Sequence, residues 1–329
     1  MIKLNAEIKC VMFGGICLSE NAKSSSVEIW LWLLMVMSPY NPKTTLILSQ
    51  FGFDPAAAAK AIRDGKIPYL TEAERRRAAE IRSGAVHNVL NVCEENNVQI
   101  IALDDERYPT LLKNIDNPPI VLFCAGNIGC LNSEFTVSAV GTRNASTYGY
   151  KVTKTLIYSL AKLGAMITSG LAVGLDSEAH RACLDAGGKT VGVCGCGIMV
   201  DYPKGSGALK RRIIENGGAL ISELLPFQKP FGGYFQHRNR IISGVSLGTI
   251  ILEAGERSGC LLTAQHALEQ GRDVFAVPPH SILEARYSGT AALIRDGAIP
   301  VFNYIDIVRM LLKEGSLRDY FKKALGETE

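Results

Sequence analysis

The sequence predicts an α/β fold: a doubly wound, mostly parallel sheet preceded by a small helical domain. Three observations lead there. From about residue 110 to 305, short β-rich runs end in Gly-bearing turns, and an amphipathic stretch follows them. The runs are apolar on both faces, as strands covered by helices on both sides should be. Between Val27 and about Asn97, by contrast, the text is helical.

Residues 1–26 are Ser-rich and patternless and are expected to form a weakly ordered leader. The apolar run Ile29–Met37 is half the ~20 residues that a membrane-spanning helix needs, so it reads as a core helix. Ala56–Ile62 is Ala-rich, Thr71 and Glu74 form a capping box, and a further helix runs to Cys93. Val98–Leu103 reads as a short strand, and Tyr108-Pro109 with Asn117-Pro118-Pro119 marks a domain junction. Strands are then expected at Val137–Val140, Ala165–Thr168, Thr190–Cys194, Ala219–Ser222, Thr249–Leu252 and Val274–Val277. Helices are expected from about Ser146 to Leu163 and from Asp176 to Ala186, and a basic helix from Ile305 to about Leu325. The expected division is 1–26 leader, 27–105 helical domain, 106–305 α/β domain and 306–329 helical tail.

Hydrophobic residues at 47% and charged residues at 20% fit a globular chain with a substantial core. The net charge of +3 is only mildly basic, so any nucleic-acid site must be a local patch. Nine cysteines cannot all pair and no C-x-x-C occurs; disulfide and zinc frameworks are not expected, and a reducing compartment is. No export or membrane signal is expected from the sequence.

In an open parallel sheet, ligands sit at the carboxyl ends of the strands, and the notable residues fall there. Gly141-Thr142-Arg143, followed by Ser146, offers backbone N–H groups and a guanidinium to an anion, or is a tight turn with a solvated arginine. Ser169-Gly170-Leu171-Ala172-Val173-Gly174 reads as a phosphate nest before a helix that Asp176 caps, with His180 packed beneath. The G-x-G-x-x-G dinucleotide fingerprint is missing, and no third ligand completes a metal site around Asp176 and His180. Tyr202-Pro203-Lys204 places a flexible cation beside an aromatic ring, the pairing that suits a phosphate and a stacked base; the plain alternative is an exposed loop lysine. Tyr234-Phe235-Gln236-His237-Arg238-Asn239-Arg240 puts two arginines and an asparagine beside aromatics at the start of a helix, with one arginine bracing loop carbonyls. Glu253 ends a buried strand and is either a general base or the ion-pair anchor of Arg238 or Arg240.

Taken together, these segments resemble the DprA (DNA-processing, Smf) family. The matching text is VGTRNASTYG (140–149), SGLAVGLDSEAH (169–180), GVCGCGIMVDYPK (192–204), RNRIISG (238–244), SGCLLTA (258–264) and GRDVFAVP (271–278). The helical region resembles the family's sterile-alpha-motif-like domain. The resemblance implies an extended Rossmann-like fold that binds single-stranded DNA without cutting it. It also implies a cytoplasmic homodimer that loads the recombinase RecA during natural transformation, with no cofactor. Carried over by motif, the DNA-binding residues are Gly141, Thr142, Arg143, Ser146, Ser169, Gly170, Ala172, Lys204, Arg238, Asn239 and Arg240. Tyr202 and Phe235 are candidate stacking platforms, and Asp176 and Glu253 candidate supports. Val173 stands where the family commonly has arginine, Gln236-His237 replaces a proline-containing lead, and Pro279 stands where glycine is usual. The winged helix that many relatives append is not expected here.

Two other function classes compete with this reading. A nucleotide hydrolase of the lysine-decarboxylase-like group carries P-G-G-x-G-T-x-x-E; here Ser243–Thr249 with Glu253 beyond lacks the Pro-Gly-Gly. A protein-interaction scaffold would leave the basic loops incidental. Residues 285–300, with Ala291, Ala292, Leu293 and Ile294, read as a core helix or as an apolar docking surface.

Overall fold

The computed structural model describes residues 12–13, 16–17 and 22–311. Strands β1 (Met12–Phe13) and β2 (Ile16–Cys17) pair antiparallel. Helix α1 (Ala22–Met37) starts five residues before the Val27 boundary expected for the helical region. Ile29–Leu34, Val36 and Met37 are all buried, so α1 has no solvated face along this run. A helix apolar all round has to lie inside a fold or a membrane. Here it lies inside, and no helix among the described residues is long and apolar enough to cross a bilayer.

Around α1 pack α2 (Pro42–Gln50), α3 (Pro55–Arg63), α4 (Glu72–Glu80) and α5 (Ser83–Glu95). Their starts follow from local chemistry. Asn41 and Asp54 accept backbone N–H bonds ahead of a proline at the first helical position. At α4, Thr71 and Glu74 form the reciprocal capping box that their spacing predicts.

Next come β3 (Gln99–Ala102), the single turn α6 (Thr110–Lys113), β4 (Val121–Gly126) and β5 (Thr136–Val140). Helix α7 (Thr147–Lys162), β6 (Met166–Ser169), α8 (Leu175–Asp185), β7 (Thr190–Val193), α9 (Gly207–Glu215) and β8 (Ala219–Ser222) follow. The chain then runs through α10 (Gly232–Gly244), β9 (Gly248–Ile251), α11 (Cys260–Glu269), β10 (Asp273–Ala276), α12 (Ser288–Arg295), β11 (Ile299–Pro300) and α13 (Tyr304–Leu311). The tail beyond Leu311, where the basic helix was expected to continue, lies outside the described residues.

Nine strands form one sheet in the order β11-β10-β9-β5-β6-β7-β8-β4-β3. All pairings from β11 to β8 are parallel; β8–β4 and β4–β3 are antiparallel. This is the α/β, Rossmann-like doubly wound sheet that the apolar runs predict. Because β3 pairs with β4, the sheet begins at Gln99, before the boundary expected at residue 106.

Alternation along the strands divides the core. Val137 and Ala139, Ile167, Ile250 and Phe275 face one layer, with α7, α8 and α13. Val140, Met166, Ile251 and Val274 face the other, which is continuous with α1 and its helical neighbours. The period of two, with both faces buried, is why these strands read as unbroken apolar runs. Residues 291–294 of α12 are half-buried, and Leu293 packs against the second layer.

The order of strands fixes where a ligand can sit. From β5 the chain winds outward through β6, β7 and β8, then returns to the other side of β5 for β9, β10 and β11. The reversal between β5 and β9 leaves a crevice outside their carboxyl ends.

Phe123 on β4 is fully buried in the layer shared by the helical unit and the sheet. Phe123→Ala is expected to destabilise the protein by about 3–5 kcal/mol, read as a lower urea midpoint of one cooperative transition.

Candidate nucleic-acid interface

The crevice is a cleft of ≈ 730 Å³ walled by Gly141–Arg143, Ala172, Asp176, Tyr202, α10 from Phe231 to Ile242, and Ser258–Thr263. A smaller depression of ≈ 110 Å³ adjoins it, bounded by Arg143, Gly170–Val173, Cys194, Gly195, Tyr202–Lys204, Phe235 and Arg238.

Arg143 leaves the end of β5 exposed, and no carboxylate pairs with it among the described residues. Lys204, from the loop after β7, is equally exposed and bounds the same depression. Two cations 61 residues apart in sequence thus share one wall. Val173 stands there too, 61% exposed.

Tyr202 and Phe235 meet each other, ring centroids 5.1 Å apart and tilted by 39°. The Phe235 ring lies on the backbone of Gly195, where a Cβ would come within 2.4 Å of it. Both rings border both depressions.

The expected phosphate nest is already filled. Gly141 N–H donates to Asp176 Oδ1 at 3.1 Å, and the N–H groups of Ala172 and Gly170 bond the same carboxylate. Asp176 therefore does not cap α8: Gly174 holds the cap position at φ 94°, with Asp176 inside the first turn. Only glycine fits there, since a Cβ would sit 2.5 Å from Thr142 O. Ser169 is buried and donates to Ala139 O at 2.6 Å. Burial pushes the Asp176 carboxyl up, against the pull of Arg238 and these N–H groups.

The Arg-Asn-Arg run lies in the middle of α10, not at its start. Arg238 is buried; its Nη1 donates to Gly170 O at 2.7 Å and to Val193 O, and its Nε to Asn239 Oδ1 at 3.2 Å. Burial lowers its pKa, and Asp176 opposes that. Asn239 Nδ2 donates to Gly259 O at 3.2 Å. Arg240, two residues and about 200° around the helix, points away from the cleft. It donates to Glu223 Oε1 at 2.8 Å, and its guanidinium lies 5.4 Å from the centre of the Tyr40 ring. Glu223, not Glu253, is its anchor.

Glu253 is buried and spent elsewhere. It accepts Ser146 N–H at 3.1 Å and Ser146 Oγ–H at 2.6 Å. Ser146 caps α7 by accepting Gly149 N–H at 2.9 Å, and Tyr287 Oη–H reaches it at 3.1 Å. Neither Glu253 nor Ser146 lines the cleft. Cys260 does, but burial pushes its thiol up to about 12, so it is no thiolate nucleophile. No group of three metal-ligating side chains gathers among the described residues.

Sequence reasoning passed over Phe231, 67% exposed on the rim. Its signal was Pro230-Phe231-Gly232-Gly233, an aromatic between residues that hold a chain at the surface. Tyr40 and Glu223 carried no local signal, because their roles depend on Arg240.

Comparison with known proteins decides the relationship. A family described as DNA recombination-mediator protein A matches residues 99–312, from the first strand of the sheet onward. The chain belongs to this family. It is 39% identical over 223 residues to the DNA processing protein DprA of Bacillus subtilis, covering 68% of this chain and 74% of that one. It is 36% identical over 284 residues to protein Smf of Escherichia coli, covering 86% and 75%. The DprA structure from Streptococcus pneumoniae superimposes with a TM-score of 0.74 at 32% identity, over 86% of this chain and 97% of that chain. A Helicobacter pylori DprA structure, described for its single-stranded DNA binding mode, superimposes with a TM-score of 0.59 at 30% identity, over 66% and 97%. The DprA resemblance of the motifs thus extends over residues 99–312 and, in the longest of these matches, over 86% of the chain.

His180, on α8 of this DprA-family protein, is buried, Nδ1 2.7 Å from Thr190 Oγ1, with Nε2 unpartnered among the described residues. Burial, with Arg181 and Arg238 adding to it, lowers its pKa from 6.5 to about 3. Above pH 6.5 the ring is neutral folded or unfolded; between 6.5 and about 3 only the unfolded chain takes up the proton. Stability from this group is therefore full above that window and falls as the pH drops through it. His180→Asn should lower the melting temperature at neutral pH, and the gap to wild type should narrow as circular-dichroism melts are repeated toward about pH 3.

Proposed function

We propose that this protein binds single-stranded DNA in the cleft at the β5–β9 reversal, protects it and passes it to the recombinase RecA, without cutting it. The observation that carries this reading is the pairing of Arg143 and Lys204, exposed and unneutralised, beside the Tyr202–Phe235 ring pair. Mobile cations suit phosphates, and rings suit bases of any identity. In this reading, Gly141, Thr142 and Ala172 line the strand's path, with Asn239 reaching it from α10. Ser169, Gly170, Arg238, Asp176, Ser146 and Glu253 hold the loops in place by the bonds described above, and Arg240 acts from behind α10.

Family membership supports RecA as partner, a homodimer as working form and the cytoplasm as compartment, and we propose these with it. The hydrolase reading lacks support: it needs a carboxylate facing the cleft, and Asp176 and Glu253 are both consumed by hydrogen bonds.

Fluorescence anisotropy with labelled oligonucleotides over a salt series tests this reading. Wild type should prefer single to double strands. Arg143→Ala/Lys204→Ala should weaken binding about a hundredfold at low salt and reduce the salt slope by about 1.4, or about 0.7 per contact. Binding indifferent to both residues would overturn the assignment of the cleft.

A further inference from the structure

We propose that a strand seated in the cleft continues over Phe231 into a second groove, where the helical unit meets α10, and is held there by Tyr40, Tyr234, His237 and Arg77. The proposal rests on the single-strand reading above and extends its footprint onto the helical unit.

Helix α10 is a ridge between two depressions. Phe231, Phe235, Arg238 and Ile242, at helical spacing, face the cleft. Gly233, Tyr234 and His237 face a groove of ≈ 390 Å³ whose far wall is Met37–Asn41, Glu74 and Arg77. Phe231 borders both, at the end of the ridge, with 67% of its surface exposed.

From Phe231 the rings form a chain. Its centroid is 5.5 Å from Tyr234; Tyr234 is 5.7 Å from Tyr40, and Tyr40 stacks on His237 at 4.9 Å and 18°. Such spacing lets bases pass from one ring to the next without sequence preference.

The Tyr40 turn is held in an unusual shape. Ser38 and Tyr40 both have positive φ, 68° and 65°, a region that residues with a Cβ seldom enter. Surrounding contacts fix it: Tyr40 N–H donates to Glu223 Oε1 at 3.3 Å, and the Arg240 guanidinium lies against the ring. Non-glycine positions held in this region by their surroundings cluster at ligand clamps and switch segments.

The charges point the same way. Arg77 donates through Nε to Val36 O at 2.6 Å, and its other nitrogens make no hydrogen bond among the described residues. Glu74, the acid in the wall, is neutralised by Lys43 at 3.1 Å and bonded by Asn41 and the Thr71 N–H. His237, on the α10 wall, is exposed. The groove therefore offers the Arg77 guanidinium and rings but no free carboxylate, which suits a polyanion with bases.

Thymidylate oligomers from about 4 to about 16 nucleotides, the range that single-strand sites span, provide the test. Wild-type affinity should step up once the oligomer is long enough to cross Phe231. In Arg77→Ala/Tyr234→Ala the step should shrink about tenfold, lowering the ratio of long- to short-oligomer affinity, with a salt slope lower by about 0.7 for the long oligomer. Photo-crosslinking of iodouracil oligomers to the wild type, which does not depend on how a variant folds, should tag Tyr40, Tyr234 or His237, which line only the second groove. A step unchanged in the variant, or crosslinks confined to Phe231, Phe235 and the loops of Arg143 and Lys204, would overturn the extension and leave the cleft assignment standing. No binding at any length would overturn both.

Discussion

A guanidinium and a carboxylate buried together are costly unless nearly every donor and acceptor they carry is used. Asp176, with three backbone N–H groups, and Arg238, with three bonds from Nη1 and Nε, go far toward that condition at the carboxyl end of the sheet, and the loops of the cleft take their shape from those bonds. Asp176 gathers N–H groups from the turn after β5 and the turn after β6; Arg238 gathers carbonyls from the turn after β6 and the end of β7. Gly170 lies between them, where a Cβ would be 2.7 Å from both Arg238 Nη2 and Asp176 Oδ2. Three loops that would otherwise carry unsatisfied backbone groups are thereby tied to one another. Arg143 and Lys204, exposed on those loops, take no part in this buried frame.

A second buried pair sits behind the first. Arg240 and Glu223 join α10 to the end of β8, and Tyr40 closes over them from the helical unit. One nitrogen of Arg240 and one oxygen of Glu223 have no partner among the described residues. The pair is thus weaker as a source of stability than as a fixed register between two bodies. With α1 packed against β3 and β4, the helical unit is held to the sheet by apolar burial and oriented by a polar contact. The position of Tyr40 beside the pocket-bearing helix follows from that division.

The sheet was largely legible because its strands are buried on both faces, which writes them as apolar runs of four or five residues. Ala219–Ser222 was placed residue for residue; of the five other strands expected from Val137 onward, two differ by one residue at one end and three are displaced by one residue along the chain. The antiparallel edge was less so: β3 was read as a strand, but nothing local said that it joins the sheet rather than the helical unit. For the site, the sequence located the loops but not the roles within them. Ser169-Gly170-x-Ala172 has the composition of an anion nest, and it is one; its anion is Asp176, four residues beyond Ala172 on the following helix. Arg238 and Arg240 are near neighbours in text, but two residues on a helix face nearly opposite ways, so one borders the cleft and the other its back. Such assignments require knowing which faces meet, and that is long-range information.

Val173 shows how a loop motif can change without disturbing the frame. The loop is held by Asp176 on N–H groups and by Arg238 on the Gly170 carbonyl, and neither contact involves the side chain at 173. That side chain projects into the smaller depression, mostly exposed, beside Arg143 and Lys204. Where family members commonly place a cation, this wall carries an isopropyl group. If a single strand lies here, the wall offers two cations instead of three, while the Tyr202–Phe235 pair is untouched. Binding then leans more on stacking and less on phosphate neutralisation, which by counterion release makes it less sensitive to salt than in a relative with the third charge. The substitution alters how a strand would be held while leaving intact the buried pair that shapes the place where it lies.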